Sequence, residues 1–211
     1  AAKAAGPEMP EVPEMMLEDG SFEVPAGKIA AVVTHLQMLA PPAPRPAPQD
    51  RGWGIRRVQR PTADWYRRHF RRIGENWLWS SRLKLATPAL QAILDDPRVA
   101  VYALTEARQD AGLLELDFRG ARRCQLAFFG LAPALIGQGA GRLLMNYAIA
   151  RAFEQPIACF GVHTCTLDHP RALAFYLRSG FRPYKREIEI ADDPRLGQGF
   201  PATAAPHVPL L

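Results

Sequence analysis

The sequence predicts a mixed α/β (α+β) domain, with a mostly antiparallel central sheet and helices on both faces. Three observations predict it. Runs rich in β-branched and apolar residues alternate with segments whose apolar residues recur at helical spacing. Three strand-like runs follow one another over residues 98–131 with only short turns between, the pattern of an antiparallel meander. The last part of the chain then alternates helix, strand, helix and strand, as crossover units do.

Each element has a local reason. Residues 1–27 are rich in Pro and Glu and offer little to bury, so they read as an acidic arm. Lys28–Leu39 is apolar and β-branched and reads as an extra strand. Residues 40–50, APPAPRPAPQD, carry five prolines within positions 41–48. Such a stretch is extended and stiff and cannot enter a helix, so 28–50 is a strand plus a linker. Trp53–Arg60 reads as a strand. Pro61 and Thr62 then start a helix, with Thr62 as cap and Asp64 in the first turn. Tyr66, Phe70, Ile73 and Trp77 fall on one face of that helix, and Arg67, Arg68, Arg71 and Arg72 on the other. A short helix covers 88–95 and ends near Pro97. Arg98–Leu104, Gly112–Phe118 and Arg123–Leu131 are the meander strands. A glycine-rich turn at 137–141 opens a helix over 141–153, the run Ile157–Thr166 is a strand, and Pro170 starts a helix that stops at Gly180. Phe181–Ile190 closes the sheet. Residues 191–211 read as a Pro- and Gly-containing tail, packed on the domain or loose.

Composition narrows the classes. The 211 residues suit one domain with tails, and 48% hydrophobic with 22% charged residues excludes wholesale disorder. No apolar run approaches the roughly 18–20 residues of a membrane helix. Cys124, Cys159 and Cys165 are odd in number and lack a C-x-x-C spacing, so neither a disulfide framework nor a structural zinc is expected. The first residues lack a basic head followed by an apolar block, so a cytoplasmic setting is expected. Of the net charge of +5, residues 1–27 contribute −5, from six acids and Lys3, which leaves +10 on the remainder. A basic body suits an anionic ligand. The arginine-rich helix face carries no helix-turn-helix or zinc-finger spacing, so neither nucleic acid nor a membrane is expected as a partner.

The segment from Leu131 to Leu144 carries the strongest chemical signal. Gly137, Gly139 and Gly141 alternate between a strand end and a helix start. Without Cβ atoms the backbone can approach a ligand, and a helix N-terminus favours an anion. No Lys-Ser/Thr follows, as a mononucleotide P-loop requires, and Arg142 occupies the position of the third glycine of a dinucleotide motif. The segment resembles the acyl-CoA-binding motif Q/R-x-x-G-x-G/A of the GNAT N-acetyltransferase superfamily, with Ile136 in the first position. Downstream, His169 to Phe181 resembles that superfamily's second signature, N-x-x-A-x-x-x-Y-x-x-x-G-F. It matches at Ala172, Tyr176, Gly180 and Phe181 and carries His169 in place of Asn. The resemblance covers roughly residues 53–190, which makes 51–190 the acetyltransferase domain. The run HTCTLDHP resembles a bacterial branch of the superfamily.

The resemblance implies acetyl-CoA as cosubstrate, no metal, and a cofactor lying between splayed strands 123–131 and 157–166. It implies that Leu131 holds the pantetheine arm and that Ile136, Gly137, Gln138, Gly139, Ala140, Gly141 and Arg142 hold the pyrophosphate, with His169 and Tyr176 nearby. The reaction would be direct attack of a primary amine on the thioester in a ternary complex. The Leu131 N–H would serve the developing oxyanion, and Tyr176, a phenol still protonated at neutral pH, the departing thiolate. Some relatives carry a Glu where this chain has Gln125. Glu115, a carboxylate in an otherwise apolar strand, is therefore the expected base. His163 is a further candidate for that role, and Asp168 and His169 read as the cap of the following helix. Trp77, Trp79, Arg82 and Gln125 are expected on the acceptor side. The acceptor would be a small-molecule or peptide amine, and the chain a monomer or homodimer. The competing readings are an acyl-CoA-binding sensor or partner-binding module without catalysis, a Cys165–His163 nucleophile pair, and a metal site formed by His163, Cys165, Asp168 and His169.

Overall fold

A computed structural model describes residues 18–48 and 51–211. The expected acidic arm lies outside the described residues as far as position 17. Seven strands, β1 (Lys28–Met38), β2 (Trp53–Arg57), β3 (Val99–Glu106), β4 (Gln109–Asp117), β5 (Arg123–Leu131), β6 (Cys159–Cys165) and β7 (Arg182–Asp192), form one sheet. Its order is β2-β3-β4-β5-β6-β1-β7. Four helices accompany it: α1 (Ala63–Gly74), α2 (Thr87–Asp95), α3 (Ala140–Phe153) and α4 (Ala172–Arg178). Every ladder is antiparallel except β5–β6. This is the fold class the sequence predicts.

The central strands β3 and β4 are buried on both faces for most of their length, as strands covered by helices on each side must be. On one face α1 and α2 supply Tyr66, Phe70, Leu90 and Leu94, which pack against Val99, Val101 and Leu113. On the other, Leu144, Met145 and Ala148 of α3 pack with Leu104, Leu114, Leu116, Leu126, Phe160 and Phe181. Thr62 caps α1 as expected, accepting a hydrogen bond from the Trp65 N–H at 3.2 Å. The helix ends three residues before Trp77, however. A Cβ on Gly74 would lie 2.5 Å from Trp79, and Leu78 takes a left-handed φ of 53°. Trp77 consequently sits in a 3-10 turn, Glu75–Trp77, rather than on the helical face its spacing suggested.

Two features position the site. The first is the divergence of β5 from β6. A bulge interrupts the β4–β5 register between Glu115 and Leu116, and β5 pairs with β6 only over Arg123, Cys124 and Gln125. A bulge bends its strand, so the rest of β5 leaves β6 and opens a gap. The second is β1, which inserts between β6 and β7 and pairs with both. The chain must then cross from β1 to the opposite edge at β2, about 24 Å over five strand spacings. The Pro-rich segment makes this crossing over α3 and α4. Arg45 donates to the Arg178 carbonyl at 2.7 Å, Asn146 donates to the Arg45 carbonyl at 2.7 Å, and Pro48 lies against Gly139. The tail is anchored. Arg195 pairs with Asp193 at 2.6 Å and donates to the Ala204 and Val208 carbonyls, while Phe200, Ala204 and Ala205 pack on Ile29 and Leu78. Among the described residues, no helix is long and apolar enough to cross a membrane.

Candidate active site

The gap between β5 and β6 opens into a cavity of about 570 Å³ that runs from the start of α3 to the faces of β1 and β7. At the α3 end lies the glycine loop. Gly137 and Gly139 have φ of 83° and 96°, a backbone that L residues rarely adopt. No atom lies within 4 Å of where a Gly137 side chain would begin. The N–H groups of Gly137, Gly139, Ala140 and Gly141 find no acceptor among the described residues. Unpaired donors at the start of a fourteen-residue helix form an anion cradle. This open, donor-rich loop fits a pyrophosphate. Arg142 adds a cation to the lining, and Leu131, Ile136 and His169 line the same cavity. Gln138 turns away and donates to the Ala134 carbonyl at 2.5 Å. Ala140 is buried beneath the loop and does not line the cavity.

The middle of the cavity holds the reactive groups. Ala132 donates to the Ala111 carbonyl at 2.7 Å. An antiparallel ladder alternates, so Leu131, one residue earlier, points its N–H away from β4 and into the gap. Tyr176 of α4 also lines the cavity, wedged among Phe129, Phe175 and Phe181. Its hydroxyl makes no hydrogen bond to the described residues. Burial, with the nearby Asp168 charge, pushes its pKa up, so it keeps its proton. His163 opens onto the cavity from β6. The protein packed around it and the neighbouring His35, with ring centroids 5.8 Å apart, hold its pKa below the ordinary value. Asp168, Glu189 and Glu187 oppose that shift. Cys165 faces the cavity too, but burial pushes its thiol up to about 11, so it is no ready nucleophile.

The far wall is aromatic and apolar. Trp77 lies tilted against His169, with ring centroids 5.1 Å apart, and Trp79 donates from its indole to Asp168 at 3.3 Å. Asp168 does not cap α4. It accepts from the Thr164 hydroxyl at 2.7 Å and the Cys165 N–H at 3.1 Å, tying Trp79 to the end of β6. His169 does support the helix start, accepting from the Arg171 N–H at 3.0 Å.

Three further expected side chains do not reach the cavity. Glu115 is fully buried, with one oxygen held by the Tyr66 hydroxyl and the other by Arg82. A buried carboxylate needs such partners, and Arg82 is spent on it, with its guanidinium 5.2 Å from the Phe128 ring centre. Gln125 lies at the closed end of the gap, its side-chain oxygen 2.7 Å from where a Gly161 Cβ would stand. Sequence reasoning missed Ile29, Ala31 and Val33 of β1 and Glu189 and Ala191 of β7, which floor the cavity. Alternation along both strands marks those residues as sharing a face, but nothing local shows that the face meets β6.

The profile of the acetyltransferase (GNAT) family matches residues 59–181, more than half of the chain. The chain belongs to the GNAT acetyltransferase family. A mycothiol acetyltransferase from Jonesia denitrificans is 26% identical over 119 residues, 56% of this chain and 33% of that relative. The chain therefore spans about a third of the length of the curated relative it matches. Among solved structures, the GCN5-related N-acetyltransferase of Sphaerobacter thermophilus superposes with a TM-score of 0.58 at 13% identity, over 80% of this chain and 53% of that one. The GCN5-related N-acetyltransferase of Kribbella flavida does so with a TM-score of 0.51 at 17% identity, over 82% of this chain and 63% of that one. At these identities the likeness is one of fold. It makes the glycine loop and the β5–β6 gap parts of a GNAT sheet, and family membership supports an acyltransferase.

Proposed function

We propose that this chain transfers an acetyl group from acetyl-CoA to the nitrogen of an amine acceptor, with both substrates held in one cavity. The observation that carries the reading is the continuity of that cavity. It joins the unpaired N–H groups of the glycine loop to the unbonded Tyr176 hydroxyl and then to the β1 and β7 floor beyond them. Acetyl-CoA would supply the activated acetyl thioester. The loop N–H groups and Arg142 would hold its pyrophosphate, and Ile136 and His169 would flank it. Leu131 would present its N–H to the acetyl oxygen as negative charge develops there. His163, kept neutral by its surroundings, would take the proton from the amine, and Tyr176 would donate a proton to the departing sulfur. Glu115 would act by holding Arg82 and Tyr66 in the core rather than as a base. Trp77 and Trp79 would shape the acceptor chamber.

The reading is tested by incubating the protein with acetyl-CoA and a panel of amines, following free thiol and acceptor mass together. Thiol release that depends on the amine, with one acetyl group gained by the acceptor, is expected. Thermal stabilisation by CoA without release for any acceptor would instead support a binding module.

A further inference from the structure

The two ends of the cavity differ in charge, and the difference bears on what the acceptor is. The cations in its lining are Arg142, Arg171 and Arg178, all on or beside α3 and α4, the helices that flank the cofactor loop. The end built by β1 and β7 contributes none. Its floor is apolar, from Ile29, Ala31 and Val33, and it carries the carboxylates Glu189 and Asp192. Asp192 is occupied, accepting from Lys28 at 2.5 Å at the rim. Asp168, nearer the middle, is committed to Thr164, Cys165 and Trp79. Glu189 has no hydrogen-bond or ion-pair partner among the described residues. It stands in register with Ala31, whose small side chain leaves the carboxylate room above the floor.

We infer that Glu189 binds a second positive charge on the acceptor, which makes the acceptor class an alkyl diamine or polyamine; this rests on the acetyl-transfer reading above. The geometry suits such a molecule. One nitrogen, deprotonated, would face His163, the methylene chain would lie on the Ile29–Val33 floor, and the far ammonium would meet Glu189. Trp77 in the cavity wall also favours a cation over an anion. An amino acid would bring its carboxylate to an end of the cavity whose lining offers no cation and one free carboxylate, an uncompensated placement.

The test compares putrescine, n-butylamine and γ-aminobutyrate, which share a chain length and differ at the far end. Wild-type kcat/KM is expected to be highest for putrescine, by about tenfold over n-butylamine, the scale of one charge-assisted hydrogen bond. γ-Aminobutyrate is expected to be poorest. In Glu189→Gln the putrescine-to-butylamine ratio should fall to near one. A wild-type ratio near one, a preference for γ-aminobutyrate, or a ratio that survives Glu189→Gln overturns the inference. Absence of turnover with every amine overturns the acetyl-transfer reading instead. Calorimetric binding of putrescine to the protein–CoA complex then still tests Glu189. Its Kd should rise about tenfold in the variant, and an unchanged Kd overturns the inference.

Discussion

Tyr176 and His163 open onto the same cavity with opposite proton states. Tyr176 is buried, which disfavours its anion, whereas His163 is exposed to the cavity and its cation is disfavoured by the protein packed beside it and by His35. The first therefore holds a proton and the second has room for one. For His163 the folded pKa lies below about 6.5. Activity should be lost as pH falls through that lowered value, because protonation removes the acceptor of the amine's proton. The pH profile of kcat/KM should accordingly show an acidic limb below about pH 6.5, separate from the limb of the amine itself near pH 10. His163→Gln should abolish the acidic limb and slow turnover about 100-fold. Persistence of that limb in the variant removes His163 from the reaction. The sequence pointed to Glu115 for this role because an acid in an apolar strand looks available. Its two partners lie 33 and 49 residues away along the chain, so no local pattern shows that the carboxylate is already taken.

At the scale of elements, the glycine loop was legible because its requirement is local. Three glycines between a strand and a helix announce a backbone that must turn left-handed and leave N–H groups free. Gly139 meets both that requirement and a tertiary one. An alanine there would have to hold φ near 96°, and its Cβ would stand 2.4 Å from Pro48 of the crossing segment. Gly139→Ala should weaken CoA binding at least tenfold in calorimetry, because relief of roughly 1–2 kcal/mol of backbone strain and of the Pro48 clash would move the cradle. Wild-type affinity in that variant would show that the loop is not the anion site. The end of α1 was less legible. Trp77 continues the apolar spacing of Tyr66, Phe70 and Ile73, and only the contact between Gly74 and Trp79 shows why the helix must stop before it. The functional result is that Trp77 faces the cavity instead of the core.

At the scale of the molecule, the extra strand was readable as a strand but not as the sixth strand of seven. Its partners on β6 and β7 come more than a hundred residues later, and register over such distances leaves no trace in a local pattern. Yet this placement puts Ile29, Ala31 and Val33 of β1 on the floor of the cavity. The Pro-rich run follows from it, since a stiff extended segment can make the long crossing that the order requires. The basic body also looks different once folded. Arg67 donates to the Leu85 carbonyl, Arg71 to the Gly199 carbonyl and Arg72 to the Asp110 carbonyl, so much of the arginine-rich face fastens α1 to its surroundings.

All of these scales converge on Tyr176, which α4 delivers to the gap that the β5 bulge opens. The most direct measurement is single-turnover acetyl transfer in Tyr176→Phe, read beside acetyl-CoA binding. The hydroxyl has no protein partner among the described residues, so its removal should leave folding intact and acetyl-CoA affinity within about threefold of wild type. The account predicts that transfer then slows by about 100-fold or more. Wild-type transfer by a Tyr176→Phe protein that still binds acetyl-CoA would contradict it.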